Sequence, residues 1–297
     1  MRVPLEDDVE ARSYNITARD GYSLGATLFR SRTATDVDRI AIFNTGGGLA
    51  ARRYVHFHHH LAAGGLPVVA YDYRGVGASR PVRLRGFTAG LEDWADLDQA
   101  GVIDDTLARF PGAPIATISH SVGCLVACAA PNAGRIARMV CIGPHTGYWR
   151  DYATRWKVPM ALVWHLLMPF TARAVGYFPG SSLALGDDLP RRFALQWAAR
   201  TTPALRIERG DPEHARLAQL VENARELNVP MTVLSFSDDA FASDAGVNRF
   251  IGLVPNAAIT HRRLDARDAA GRRIGHFGFF SRRQRKLWDV VLRSATD

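Results

Sequence analysis

The sequence predicts an α/β fold in which helices cover both faces of a mostly parallel, doubly wound sheet. Short apolar runs recur along the chain with helical stretches between them, a pattern typical of strands that are buried on both faces. An alternating segment near the start predicts an antiparallel hairpin. The 297 residues, 47% of them hydrophobic, are enough to bury one large core without metals or disulfides.

The hairpin comes first, because an Asp-Gly turn at Asp20-Gly21 joins two alternating runs within residues 13–29. Continuous apolar runs then predict six further strands, at 40–43, 67–71, 114–118, 136–142, 230–236 and 258–264. Helical patterns lie between them, at 53–63, 91–110, 121–130, 214–227 and 282–294. This alternation is what parallel strands joined by helical crossovers require.

The alternation stops between the fourth of these strands and residue 214. This segment contains four of the six tryptophans: Trp149, Trp156, Trp164 and Trp197. Breaks at Pro179-Gly180 and Asp188-Leu189-Pro190 divide it. We therefore expect a helical cap at 146–213, inserted into a core domain formed by 1–145 and 214–297, and an ordinary helical layer is the alternative. Ligands of open α/β sheets bind at the carboxyl edge of the strands, where such a cap would wall the site.

Charge and cysteine content restrict the class of protein. The net charge is +8, but arginines and acids are interspersed, and the densest basic stretch, 262–286, also contains Asp265 and Asp268. No nucleic-acid-binding motif accompanies it, so a solvated basic surface is favoured over a nucleic-acid partner. Cys124, Cys128 and Cys141 lie in apolar segments and do not form a disulfide framework.

The amino-terminal segment and the cysteine content predict a cytoplasmic protein. Residues 1–8 lack the apolar region of a secretory signal, and an odd number of buried cysteines suits a reducing compartment. The longest apolar stretch, 158–170, is interrupted by His165 and Pro169 and is too short to span a bilayer.

Ser119-His120-Ser121-Val122-Gly123 lies between an apolar run and a run of small residues. A strand, a tight turn and a helix in this order hold a serine exposed as a nucleophile, here Ser121. Small residues are needed two positions away on either side, because the strand and the helix close on the turn. Gly123 meets this requirement and Ser119 meets it less well. The alternative is an ordinary helix start that one of the serines caps.

A nucleophilic serine needs a histidine base and a carboxylate that orients it, and in this fold they follow in the order Ser, Asp, His. Asp239 follows the strand at 230–236, and His276 lies between glycines in a loop after the last strand. Asp238 competes with Asp239 for the role of the acid. His261 is the rival histidine, but it lies inside a predicted strand.

An oxyanion hole is expected from the glycine loop at residues 44–49, which follows the first parallel strand. We assign its donors to the backbone N–H groups of Leu49 and Val122, with Gly48 as a further candidate. The loop lacks the G-x-G-x-x-G and Lys-Ser/Thr patterns of phosphate-binding loops.

A resemblance supports these assignments. Residues 71–79, Tyr-Asp-Tyr-Arg-Gly-Val-Gly-Ala-Ser, look like the D-x-R-G-x-G-x-S loop of α/β-hydrolases. The chain also resembles a bacterial family of predicted, largely uncharacterised serine α/β-hydrolases. The similar segments are Asp93-Trp94, 147–150, 176–180, 188–190 and the Gly275–Gly278 ending. Members usually have G-H-S-x-G-G, where this chain has Ser119 and Cys124 in place of two glycines. The resemblance implies a fold and a catalytic apparatus but no substrate.

The expected function is cofactor-free hydrolysis of a carboxylic ester or thioester through an acyl-Ser121 intermediate. The apolar content of the cap predicts a small-molecule substrate with an apolar acyl or alcohol portion, bound near His120, Trp149 and Trp164. The clustered histidines His56, His58, His59 and His60 lack a third ligand, so no metal is expected. The sequence leaves four alternative functions open: an acyltransferase, a cyclase, an aminopeptidase and a catalytically inactive binding protein. It also leaves open whether the protein forms a homodimer.

Overall fold

The structure, a computed structural model, describes residues 8–34, 37–200, 214–269 and 271–296. Residues 1–7, on which the expectation of no secretory signal depends, lie outside the described residues. Residues 201–213, the end of the expected cap, lie outside them as well.

The strands are β1 (Val9–Thr17), β2 (Ser23–Ser31), β3 (Ile40–Asn44), β4 (Val68–Tyr71), β5 (Ile115–His120), β6 (Arg138–Ile142), β7 (Tyr177–Phe178), β8 (Leu189–Pro190), β9 (Met231–Phe236) and β10 (Ile259–Leu264). Eight of them form one sheet in the order β1-β2-β4-β3-β5-β6-β9-β10. The β1–β2 hairpin joins it antiparallel to β4, and all other pairs are parallel. The predicted hairpin and mostly parallel sheet are therefore confirmed.

The helices are α1 (Val55–Ala63), α2 (Leu91–Asp93), α3 (Ala100–Arg109), α4 (Val122–Ala129), α5 (Thr154–Leu162), α6 (Met168–Val175), α7 (Arg191–Ala198), α8 (His214–Glu226), α9 (Asp244–Ile251) and α10 (Arg285–Thr296). A π-helical stretch, Trp94–Gln99, joins α2 to α3, so the helix expected at 91–110 is continuous. Helices α1 and α10 enclose one apolar core, while α3, α4 and α8 enclose the other on the opposite face of the sheet. The doubly wound α/β architecture is thus confirmed.

Between β6 and α8 the described chain forms α5, α6, α7 and the separate β7–β8 pair. A π-helical turn, Val163–Leu167, joins α5 to α6 into one helix, Thr154–Val175. Helix α6 packs against α7 and β7. Division of the chain into a core and a cap at 146–213 stays a prediction.

The loop at residues 71–79 has a structural role in this chain. The two carboxylate oxygens of Asp72 accept hydrogen bonds of 2.7 Å from the backbone N–H groups of Ala51 and Ala78. Arg74 pairs with Asp98 and Asp20, both at 2.7 Å. The bond to Ala51 fixes the β4 loop to the chain that immediately follows the glycine loop. The Arg74 ion pairs fix it to the turn of the β1–β2 hairpin and to the π-helical stretch.

Candidate active site

Ser121 occupies the turn between β5 and α4 in a conformation that L-residues rarely adopt, with φ of 56° and ψ of −123°. Such backbone costs on the order of 1–3 kcal/mol and persists only where the surroundings enforce it. The N–H of Ser121 donates to the carbonyl of Ile142 at 3.0 Å. Gly123 lets the turn close, because a Cβ there would lie 2.6 Å from the carbonyl oxygen of Thr45.

Ser119 and Cys124, which occupy positions where the resembling hydrolases usually have glycine, both fit into the turn. The side chain of Asn44, the paired residue on β3, donates to Ser119 Oγ at 3.2 Å. Cys124 donates its thiol to the carbonyl of Ser119 at 3.3 Å. Because these small polar groups are buried and hydrogen-bonded, the turn keeps its shape without glycine at either position.

The structure brings Asp239 and His276 together. One carboxylate oxygen of Asp239 lies 2.8 Å from His276 Nδ1, and the other accepts the N–H groups of Phe241 and Ala242, both at 2.8 Å. Burial raises the pKa of Asp239, but His276 and these hydrogen bonds lower it by more, so the pKa lies below its ordinary value. The carboxylate is therefore ionised at neutral pH and fixes a proton on His276 Nδ1.

The two competing residues have other contacts. Asp238 accepts the backbone N–H groups of Ile274 at 3.0 Å and Gly275 at 2.8 Å, so it holds the loop that carries His276. His261 lies within β10, where its Nε2 is 2.8 Å from Ser235 Oγ. Of the two adjacent acids, Asp239 is the one bonded to His276.

Sequence reasoning missed His145, which lies just after β6. Its Nε2 is 3.1 Å from Ser121 Oγ, and its Nδ1 accepts the backbone N–H of Gly147 at 3.1 Å. A neutral imidazole carries one proton, so with Nδ1 accepting, the proton is on Nε2 and is donated to Ser121. Burial lowers the pKa of His145 to about 3, which keeps the ring neutral. His145 is thus a hydrogen-bond donor to Ser121 and not a base for it.

No hydrogen bond joins Ser121 to His276 among the described residues. The His276 ring lies 5.5 Å from the His145 ring, centroid to centroid, and lines the same cavity as Ser121. Because Ser121 Oγ accepts from His145, its own hydroxyl proton is free for another acceptor. His276 Nε2 can serve as that acceptor, since its Nδ1 carries the proton shared with Asp239.

A directed chain of hydrogen bonds links the glycine loop to the His276 loop. The N–H of Gly46 donates to the Tyr54 hydroxyl at 3.2 Å, and that hydroxyl donates to His120 Nδ1 at 2.8 Å. His120 Nε2 then donates to the carbonyl of His276 at 3.2 Å. Burial holds the pKa of His120 well below its ordinary value, so this ring stays neutral and orients its neighbours.

The glycine loop differs in detail from the expected oxyanion hole. The N–H of Leu49 donates to the carbonyl of Gly46 at 3.2 Å, so this N–H already has a partner within a tight turn. The carbonyl of Gly48 accepts the N–H of Asp187 at 2.6 Å. Val122 begins α4, where the N–H has no acceptor within the helix. Gly47 lines the cavity beside Val122.

A cavity of about 450 Å³ opens on Ser121. The predicted substrate-binding residues His120 and Trp164 line it. Trp149 does not; it lies in a 3₁₀ turn before α5, under the guanidinium of Arg150. Arg53 also lines the cavity, and no Asp or Glu is among the described residues that do. Apolar and aromatic side chains dominate the wall, and they include Met160, Trp164, Met168, Leu189, Phe193, Trp197, Phe241, Phe277 and Phe280.

The family model described as "Serine aminopeptidase, S33" matches residues 35–264. No curated protein matches the sequence. Solved structures share the fold at low identity. An esterase from Pyrococcus furiosus is 14% identical, with a TM-score of 0.58, over 97% of this chain and 91% of its own.

Two other solved structures show the same fold. A bacterial brefeldin A esterase, described as a homologue of human hormone-sensitive lipase, is 18% identical, with a TM-score of 0.60, over 100% of this chain and 78% of its own. The thioesterase domain of the curacin biosynthetic pathway is 13% identical, with a TM-score of 0.54, over 96% of this chain and 100% of its own.

Proposed function

This chain belongs to the serine aminopeptidase S33 family of α/β-hydrolases, and we propose that it is a serine hydrolase that cleaves a carboxylic ester or thioester with an apolar acyl or alcohol portion. The observation that carries the proposal is the strained Ser121 turn opening on the same apolar cavity as the Asp239–His276 pair. Residues 146–213 act as its cap, and the protein works in the cytoplasm.

In the first half of the reaction, Ser121 Oγ attacks the substrate carbonyl while its proton passes to His276 Nε2. Asp239 holds His276 in the required tautomer and stabilises the imidazolium that forms. His276 then protonates the leaving alcohol or thiol, and an acyl-Ser121 ester is left. In the second half, a water molecule attacks the acyl carbonyl while His276 Nε2 takes one of its protons. The bond between the acyl carbon and Ser121 Oγ then breaks, His276 returns the proton to Oγ, and the acid is released.

Three fixed hydrogen-bond donors assist these steps. His145 donates a hydrogen bond from Nε2–H to Ser121 Oγ and so stabilises the partial negative charge on Oγ as its proton leaves for His276. Backbone N–H groups stabilise the carbonyl oxygen, and we assign them to Val122 and Gly47. Gly47 takes this role in place of Leu49, whose N–H is already bonded to Gly46, and in place of Gly48, which is not among the described residues that line the cavity.

The composition of the cavity favours an ester as the substrate over a peptide with a free amino terminus. An aminopeptidase must bind a substrate ammonium group, and a buried ammonium requires a carboxylate or several acceptors. The described residues that line this cavity include no Asp or Glu. Aromatic and aliphatic side chains instead complement an uncharged hydrocarbon chain.

The proposal is tested with a fluorophosphonate probe and a series of p-nitrophenyl esters of increasing chain length. We expect the wild-type protein to be labelled and to hydrolyse the esters, and the Ser121→Ala variant to lose both. Ser119→Ala is the matched control, because it alters the same turn but leaves the proposed nucleophile, and it should stay labelled. Wild-type protein that is folded but neither labelled nor active on any ester would refute the proposal.

A further inference from the structure

One side of the helix Thr154–Val175 carries an apolar stripe that faces away from the protein. Val158, Leu162, Leu166 and Phe170 recur every four residues and so lie along one side. Their exposed fractions lie between 53% and 72%. We call these four residues the outer stripe. Contiguous exposed apolar side chains of this extent usually mark an interaction surface.

The opposite side of the same helix belongs to the candidate active site. Met160, Trp164 and Met168, also four residues apart, line the cavity that opens on Ser121. His165 is 2.6 Å from the carbonyl of Ala198 through its Nδ1. Among the described residues, Thr154–Val175 is the one helix that is long and apolar enough to cross a membrane. Because its inner side packs on the protein, an orientation parallel to a surface fits the structure instead.

The charges around the outer stripe indicate what it meets. Arg155 precedes Val158 by three residues and Arg173 follows Phe170 by three, so an exposed arginine lies at each end of the stripe. Lys157 adds a further cation, and the sequence has no Asp or Glu from 152 to 186. A second copy packed antiparallel on this stripe would set Arg155 of one chain against Arg173 of the other. Anionic headgroups above an apolar layer match both the stripe and its cationic ends.

We propose that the outer stripe docks the protein on the surface of an anionic lipid bilayer, with the helix lying in the plane of the headgroups. The apolar side chains enter the boundary between headgroups and acyl chains, and Arg155 and Arg173 pair with lipid phosphates. Docking then places the cavity wall formed by Met160, Trp164 and Met168 directly behind the docked surface. The inference goes beyond the proposed hydrolysis, because binding requires no chemistry at Ser121.

The test is co-sedimentation of the full chain with vesicles of phosphatidylcholine alone or with one quarter phosphatidylglycerol. We expect about tenfold stronger partitioning to the anionic vesicles, and about a tenfold loss in the double variant Leu162→Gln/Leu166→Gln. The double variant Arg155→Gln/Arg173→Gln should lose the preference for anionic vesicles. Val82→Gln is the matched control, since Val82 is a fully exposed apolar residue elsewhere (100%) and should bind like wild type.

Several results would overturn the proposal. Partitioning that is equal for the two kinds of vesicle, or unchanged by Leu162→Gln/Leu166→Gln, excludes the outer stripe as a docking surface for anionic lipid. Light scattering tests whether a second copy of the chain covers the stripe instead. A dimer that the double variant Leu162→Gln/Leu166→Gln dissociates would show that the stripe is a dimer interface. Thermal unfolding midpoints of the variants establish that each one folds. The Ser121→Ala variant should bind vesicles like wild type, so failure of the proposed hydrolysis is distinguished from failure of docking.

Discussion

His276→Ala is expected to lower kcat for p-nitrophenyl esters by about 10⁶-fold, the order found when a triad histidine is removed from a serine hydrolase. The physical reason is that Ser121 then has no base. His145 cannot substitute, because its Nδ1 accepts the N–H of Gly147 and its Nε2 already carries a proton. Circular dichroism and thermal unfolding of the variant should match those of the wild type, and kcat is the measurement.

His145→Phe is the comparison that separates the roles of the two histidines. Loss of one hydrogen bond to a developing charge should lower kcat by about 10- to 100-fold. His145→Gln, which supplies another N–H donor, should recover part of that loss. If instead His145→Phe abolished turnover and His276→Ala left it largely intact, His145 would be the base and our assignment would be reversed.

Asp239→Asn is expected to lower kcat by about 10⁴-fold with the fold intact, because an amide no longer fixes the His276 tautomer or stabilises its cation. Asp238→Asn is the matched control at the adjacent position. Asp238 holds the backbone of Ile274 and Gly275 and does not contact the His276 ring. We therefore expect its effect on kcat to be at least 100-fold smaller than that of Asp239→Asn.

Steady-state kinetics of the two variants, with thermal unfolding as a check on folding, decide between the acids. Equal losses of kcat would mean that Asp239 acts only through the loop and not through His276. A larger loss in Asp238→Asn would assign the acid to Asp238, the alternative that the sequence leaves open.

The fold could be predicted because it depends on periodicity that the sequence displays. Strands buried on both faces read as continuous apolar runs, and β3 and β5 are buried at every residue. Strand order also places the ends of β5, β6 and β9 at one edge of the sheet. The positions of these strands in the sequence are enough to predict which chain segments supply Ser121 and Asp239.

Individual contacts at that edge could not be predicted in the same way. Asp238 and Asp239 are adjacent in sequence, and only the turn after β9 decides which one meets His276. His145 has no motif of its own, and its position after β6, at the carboxyl edge, was the one available signal. Its contact with Ser121 depends on how two separate loops pack against each other.

The details of the cavity wall also depend on local geometry. Helical phase places Trp164 inward with Met160 and Met168, whereas Trp149 precedes the helix and lies outside the cavity lining. Leu49 follows three glycines whose turn closes on itself, so its N–H bonds to Gly46. The composition of the cap predicts an apolar substrate portion, but it does not decide which of the cap tryptophans, Trp149 or Trp164, lines the cavity.

The most direct test of the account is the mass of the protein during turnover. After rapid acid quenching of a reaction with a p-nitrophenyl ester, intact-protein mass spectrometry should show a fraction heavier by one acyl group, and fragmentation should locate that group on Ser121. Ser121→Ala should show no such fraction. Turnover without an acyl adduct, or an adduct on another residue such as a cysteine, would contradict the account.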